Sequence, residues 1–201
     1  MERYLVVLKS YKRMPAELEQ ILRENVHPLT VRKNEIIQPE ENDNDCLYFV
    51  EKGLFRLFMD KHGIPATLRF KREDEFIVSM KELPLAQKMP SSGIEALEDG
   101  LLWIFPGSLV SRLIFEYPQF TLQFSNIIMK DWVSVTWGIR CSDPDAGSAN
   151  YDRLRQYSPE LLDRVPIPYL ADYTSIPEKI FRHLHSSKIR LKVSTTRRRK
   201  R

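Results

Sequence analysis

The 201-residue chain has only two cysteines, Cys46 and Cys141, far apart and outside any metal-ligand grouping. That scarcity excludes a disulfide framework, an all-cysteine zinc site and a four-cysteine iron–sulfur cluster. Long apolar runs are missing too. Stretches such as Leu101–Pro106 fall far short of the ~20 residues a bilayer crossing requires. The charged opening Met1-Glu2-Arg3 lacks a signal-peptide pattern, which predicts a cytoplasmic protein with no membrane partner. There is no internal repeat, and no low-complexity tract apart from a terminal basic run. Acid is missing from one region, since Arg182–Arg201 carries nine Lys and Arg and no Asp or Glu.

What is present is enough for a buried core: 42% hydrophobic residues, with Phe 10, Tyr 8 and Trp 3. Wholesale disorder is excluded on that basis. The net charge of +4 conceals a division. From Tyr151 onward 13 Lys and Arg stand against 5 Asp and Glu, whereas residues 1–150 have 18 against 22. A polyanion should meet the C-terminal end first. For Arg197-Arg198-Arg199-Lys200-Arg201 alone, a merely solvated tail remains an alternative.

The hydrophobic period changes twice. Residues 4–26 carry an interrupted helical pattern, with Leu18, Ile21 and Leu22 on one face and Pro15 suited to a first turn. From Leu29 to Phe105 short runs rich in aromatic and β-branched residues alternate with turn signals: Glu35–Ile37, Asp45–Val50, Leu54–Met59, Ala66–Phe70, Phe76–Val78, Ile94–Leu97 and Leu101–Phe105. Their near-ten-residue spacing predicts a compact antiparallel sandwich or barrel. A short helix then ends near Tyr117-Pro118. From Gln119 to about Cys141, Phe120, Phe124, Ile127, Ile128, Trp132, Val135 and Ile139 recur every three or four residues, which predicts a long amphipathic helix. Its apolar surface suits a homodimer; the alternative is that it folds back on its own sandwich. Ser142–Ser148 reads as a linker, and short helices follow, including Val165–Tyr173 and Pro177–Ser187.

Three strings in this order resemble the Crp/Fnr superfamily of bacterial transcription regulators, and are similar to its branch abundant in Bacteroidetes. They are Leu47-Tyr48-Phe49-Val50-Glu51-Lys52-Gly53, then Ile94-Glu95-Ala96-Leu97-Glu98-Asp99, and the stretch Tyr157–Pro166 followed by Tyr169-Leu170-Ala171-Asp172-Tyr173. The resemblance implies an α+β chain with four functional parts. These are an N-terminal double-stranded β-helix, jelly-roll-like and cyclic-nucleotide-binding-like (1–118), a long dimerisation helix (119–142), a linker (143–149) and a small helix-turn-helix domain (150–192). Residues 193–201 are a basic tail. The implied function is a non-enzymatic, DNA-binding transcription regulator responding to an unidentified small-molecule effector; the alternative is a ligand-binding or protein-interaction module without a specific DNA target.

Two residues that hold cyclic nucleotides in the family are absent here. No Gly-Glu pair follows Phe76, and Pro90 stands at the position of the phosphate-binding Arg, which argues against cyclic AMP. Arg69, Lys81, Lys88, Ser91 and Ser92 are candidates for a pocket taking another anion. No cofactor, metal site or catalytic residue is expected, because no nucleophile–base or metal constellation can be assembled. At the DNA end, the resemblance makes Glu178, Lys179 and Arg182 candidates on the recognition helix, with Glu178 and Arg182 at base-contact positions. Lys188, Arg190 and Lys192 are phosphate-contact candidates. The turn Thr174-Ser175-Ile176 is one residue short and puts Ser175 where the family has glycine. Phe181 replaces a small DNA-facing hydroxyl residue, so it blocks base edges, meets a thymine methyl, or packs against protein. Ile176, Ile180 and Leu184 form the expected docking stripe.

Overall fold

The computed structural model describes residues 2–37, 47–61, 64–78, 92–141 and 147–187, without the side chains at 60, 61, 92, 135 and 137–141. It divides into two compact units, Met1–Val135 and Thr136–Arg201.

The first unit opens with two helices, α1 (Arg3–Tyr11) and α2 (Ala16–Asn25). Pro15 caps the start of α2, where a missing N–H costs no helical bond. Eight strands follow: β1 (His27–Val31), β2 (Ile36–Ile37), β3 (Leu47–Lys52), β4 (Phe55–Lys61), β5 (Ile64–Lys71), β6 (Phe76–Val78), β7 (Ser92–Ala96) and β8 (Gly100–Phe105). They form two antiparallel four-stranded sheets, ordered β1-β8-β3-β6 and β2-β7-β4-β5. All seven runs read from the sequence are strands. The eighth, β1, was not foreseen; it lies at a sheet edge, the position at which a strand tolerates Pro28.

Strand alternation sorts the apolar residues into two cores. Tyr48 and Val50 of β3, Ile77 of β6 and Leu102 of β8 face Phe55, Leu57, Ile94 and Ala96 of the other sheet. Apolar side chains of both sheets therefore meet between the described strands. Leu47, Phe49, Phe76 and Phe105 point to the opposite face, where α1, α2, α3 (Gly107–Glu116) and the first half of α4 (Pro118–Cys141) cover them. Tyr4 anchors this second core, 5.3 Å from both the Trp103 and Phe105 rings. Its burial pushes the phenol up to about 12. The β3–β4 turn depends on Gly53 at φ 100°, where an added Cβ would lie 3.0 Å from Gly100 Cα.

The helix α4 corrects one expectation. Phe120 and Ile127 are buried in their own chain's core, and Phe124 and Ile128 are half-buried. The exposed apolar stripe is instead Leu122, Met129, Trp132 and Val133, so of the predicted dimer-face residues with described side chains only Trp132 is exposed. Periodicity alone cannot choose between two apolar faces on one helix; packing against the sheet does. Val135 and Ile139 lie outside the described side chains.

The second unit contains α5 (Ser148–Tyr157), α6 (Leu161–Arg164), α7 (Ile167–Tyr173) and a further helix, α8, over residues 178–187. Tyr151, Leu154, Leu161, Val165, Leu170, Ala171, Ile176 and Phe181 are buried there. Among the described residues no helix is long and apolar enough to cross a membrane, and no group of three or more His, Cys, Asp or Glu comes together.

Candidate nucleic-acid interface and sensor cleft

Helix α7 ends in a Schellman turn. The Ile176 N–H donates to Ala171 O at 3.0 Å and the Ser175 N–H to Asp172 O at 3.1 Å. This pattern requires a left-handed residue between them, and Ser175 adopts φ 52°. The turn thus keeps the backbone a glycine would favour, although the glycine is absent. Thr174, fully buried, bonds back through Oγ1 to Leu170 O at 2.7 Å. Its own carbonyl accepts from Asn150 Nδ2 at 2.9 Å, which ties the turn to α5.

The Pro177 carbonyl begins α8, accepting from the Ile180 and Phe181 amides. Phe181 is fully buried, edge-on to Tyr151 at 5.2 Å and stacked with His185. Of the three roles open to it, the ring takes packing against protein. The expected stripe is corrected accordingly. Ile180 is 52% exposed and Phe181 takes its place beside Ile176. Only this position of the stripe changes, and the Phe181 ring gains an edge-on contact with Tyr151 that an aliphatic side chain would lack. The Tyr151 hydroxyl lies 3.1 Å from His185 Nδ1, and burial raises the phenol above its ordinary range.

With Phe181 inward, Glu178, Lys179, Arg182 and His183 are exposed. Arg182 Nε donates to Glu178 Oε1 at 2.8 Å, one helical turn apart. The pair is open to solvent, so it orients the guanidinium without adding much stability. Lys188, Arg190 and Lys192 lie outside the described residues.

In the first unit, Arg69 is held rather than free. Its NH1 group donates to Asp131 Oδ2 on α4 at 2.8 Å, and Lys71 Nζ lies 2.9 Å from Oδ1 without hydrogen-bond alignment. Beside them is a cleft of about 150 Å³ bordered by Tyr11, Lys71, Lys130, Asp131 and Ser134. Lys81, Lys88 and Ser91 fall outside the described residues, and Ser92 is described only by its backbone, opposite Met59. Sequence reasoning passed over Lys71 and Asp131. The signal for Lys71 was its spacing of two from Arg69 on a strand; for Asp131 there was none.

By sequence, no family model and no curated protein matches the chain. Structural likeness is extensive. A protein from Eubacterium rectale assigned to the crp/fnr family of transcriptional regulators superposes with a TM-score of 0.63 at 14% identity, covering 91% of this chain and 86% of that one. The c-di-GMP responsive global regulator CLP of Xanthomonas campestris gives 0.62 at 12%, covering 86% and 91%. A cyclic nucleotide-binding domain containing protein from Listeria monocytogenes gives 0.61 at 13%, covering 91% and 88%. The chain shares with these proteins the fold of Crp/Fnr regulators.

Proposed function

We propose that the chain is a homodimeric, DNA-binding transcription regulator of the Crp/Fnr type, with a sensor that does not use cyclic AMP. The observation that carries this reading is the exposed face of α8. A tight, hydrogen-bonded turn sets this helix against a buried core, and Glu178, Lys179 and Arg182 are left together in solvent. An Arg held in plane by a neighbouring carboxylate is suited to the paired acceptors of a guanine edge in the major groove. The nine basic residues of Arg182–Arg201, with no acid among them, supply the phosphate attraction.

The dimer reading rests on Leu122, Met129, Trp132 and Val133, whose spacing of three, four and seven suits a partner helix. Against cyclic AMP stand the missing Gly-Glu pair and Pro90 at the Arg position. Fluorescence anisotropy with the chain's own promoter region, across a salt series and with or without cyclic AMP, tests the reading. The expected result is saturable, sequence-selective binding that cyclic AMP leaves unchanged, with selectivity weakened in Arg182→Ala. Steep salt dependence with no preference among sequences would refute specific reading and favour an interaction module.

A further inference from the structure

Two cations project from one face of β5. Arg69 and Lys71 are two residues apart, so both side chains share the face of their cross-strand partners Leu57 and Phe55, which belong to the core between the sheets. Each cation therefore sits at the margin of an apolar interior, and needs a counter-charge. Asp131 supplies it. It lies four residues beyond buried Ile127, on the same face of α4, and its two oxygens meet Arg69 and Lys71 at 2.8 and 2.9 Å. The side chains of Arg69, Lys71 and Asp131 are 13%, 5% and 15% exposed.

The stoichiometry is unequal: two cations share one carboxylate. Among the described residues Arg69 Nε is buried with no acceptor, and Asp131 is the carboxylate within 4.0 Å of the guanidinium. Removing Asp131 would leave two like charges side by side without the carboxylate that both meet. We propose that Asp131 is a built-in anion, which latches α4 to β5 through charges that the chain itself supplies. The consequence for regulation rests on the Crp/Fnr-type reading above; the latch itself does not. Under that reading, a helix held at Asp131 has its position on the sensor set by the chain's own charges.

Hydrogen–deuterium exchange of the full chain, read on amides 127–135, tests it. Asp131→Asn keeps the shape and removes the charge, and exchange in that segment should accelerate at least about a hundredfold, the lower end expected for breaking a buried pair. A second variant combines Lys71→Asp with Asp131→Lys, which keeps the same three charges in transposed places. It should return exchange to within about threefold of the parent chain, because the attraction is restored. Unchanged exchange in Asp131→Asn overturns the latch, and so does a transposed variant that exchanges as fast as Asp131→Asn or fails to fold. The promoter titration is a separate measurement. If the parent chain shows no sequence preference, the regulator reading fails while the exchange result stands.

Discussion

Replacing Phe181 by Ala separates a structural ring from a DNA-facing one. The side chain is fully buried, with Tyr151 edge-on at 5.2 Å and His185 stacked at 6.4 Å. Truncating a buried Phe costs about 3–5 kcal/mol through lost transfer energy and the cavity left behind. The aromatic pair with Tyr151 accounts for about 0.5–1.5 kcal/mol beyond its area. At roughly 0.05–0.15 kcal/mol per residue, a unit the size of Thr136–Arg201 has only about 3–10 kcal/mol to lose. The substitution should therefore remove between about a third and all of the second unit's stability and leave the first unit intact. Hydrogen exchange resolves the two: amides of α7 and α8 should lose protection, while those of β3 and β8 keep it. Phe181→Leu should cost less than Phe181→Ala, since a branched aliphatic refills much of the space. The reasoning is refuted if Phe181→Ala changes stability by less than about 0.5 kcal/mol, as surface substitutions do. A ring that mattered only to DNA affinity would have to face outward.

Two further perturbations act away from the exposed face. Ser175→Gly relieves a left-handed residue at φ 52° and should stabilise the second unit by about 1 kcal/mol, seen as a rise of several degrees in its thermal midpoint; no rise would mean that the turn is not strained. Tyr4 gives a pH dependence of definite sign. Its phenol is raised from 10 to about 12, chiefly by burial, so the folded state holds the proton more tightly than the unfolded one. The associated stability is fully present below pH 10 and falls as pH rises toward 12, by roughly 2–3 kcal/mol. Urea midpoints at these two limits should show the fall in the parent chain and a smaller one in Tyr4→Phe.

Much of the fold was legible because its signals are local. Seven strands announced themselves by β-branched and aromatic runs between Gly, Asn and Asp clusters, and α4 by a three-to-four-residue period free of proline. The strand β1 escaped because Pro28 argues against a strand, and only its place at the edge of a sheet makes that proline harmless. At the candidate site the sequence placed Glu178, Lys179 and Arg182 on one helix and flagged the short turn, while leaving Phe181 with three possible roles. Ile180 and Phe181 both satisfy a helical stripe with Ile176, so composition could not choose between them.

The sequence by itself determined the division of charge and the local periods that mark strands and helices. These follow from residue type and spacing along the chain. Tertiary structure alone decided which face of α4 remains exposed, which residue of α8 turns inward, and that Asp131 meets Arg69 and Lys71. Each of these depends on what a second element, distant in the chain, places opposite the first. An acid in an amphipathic helix reads as solvated until the fold brings two buried cations to it.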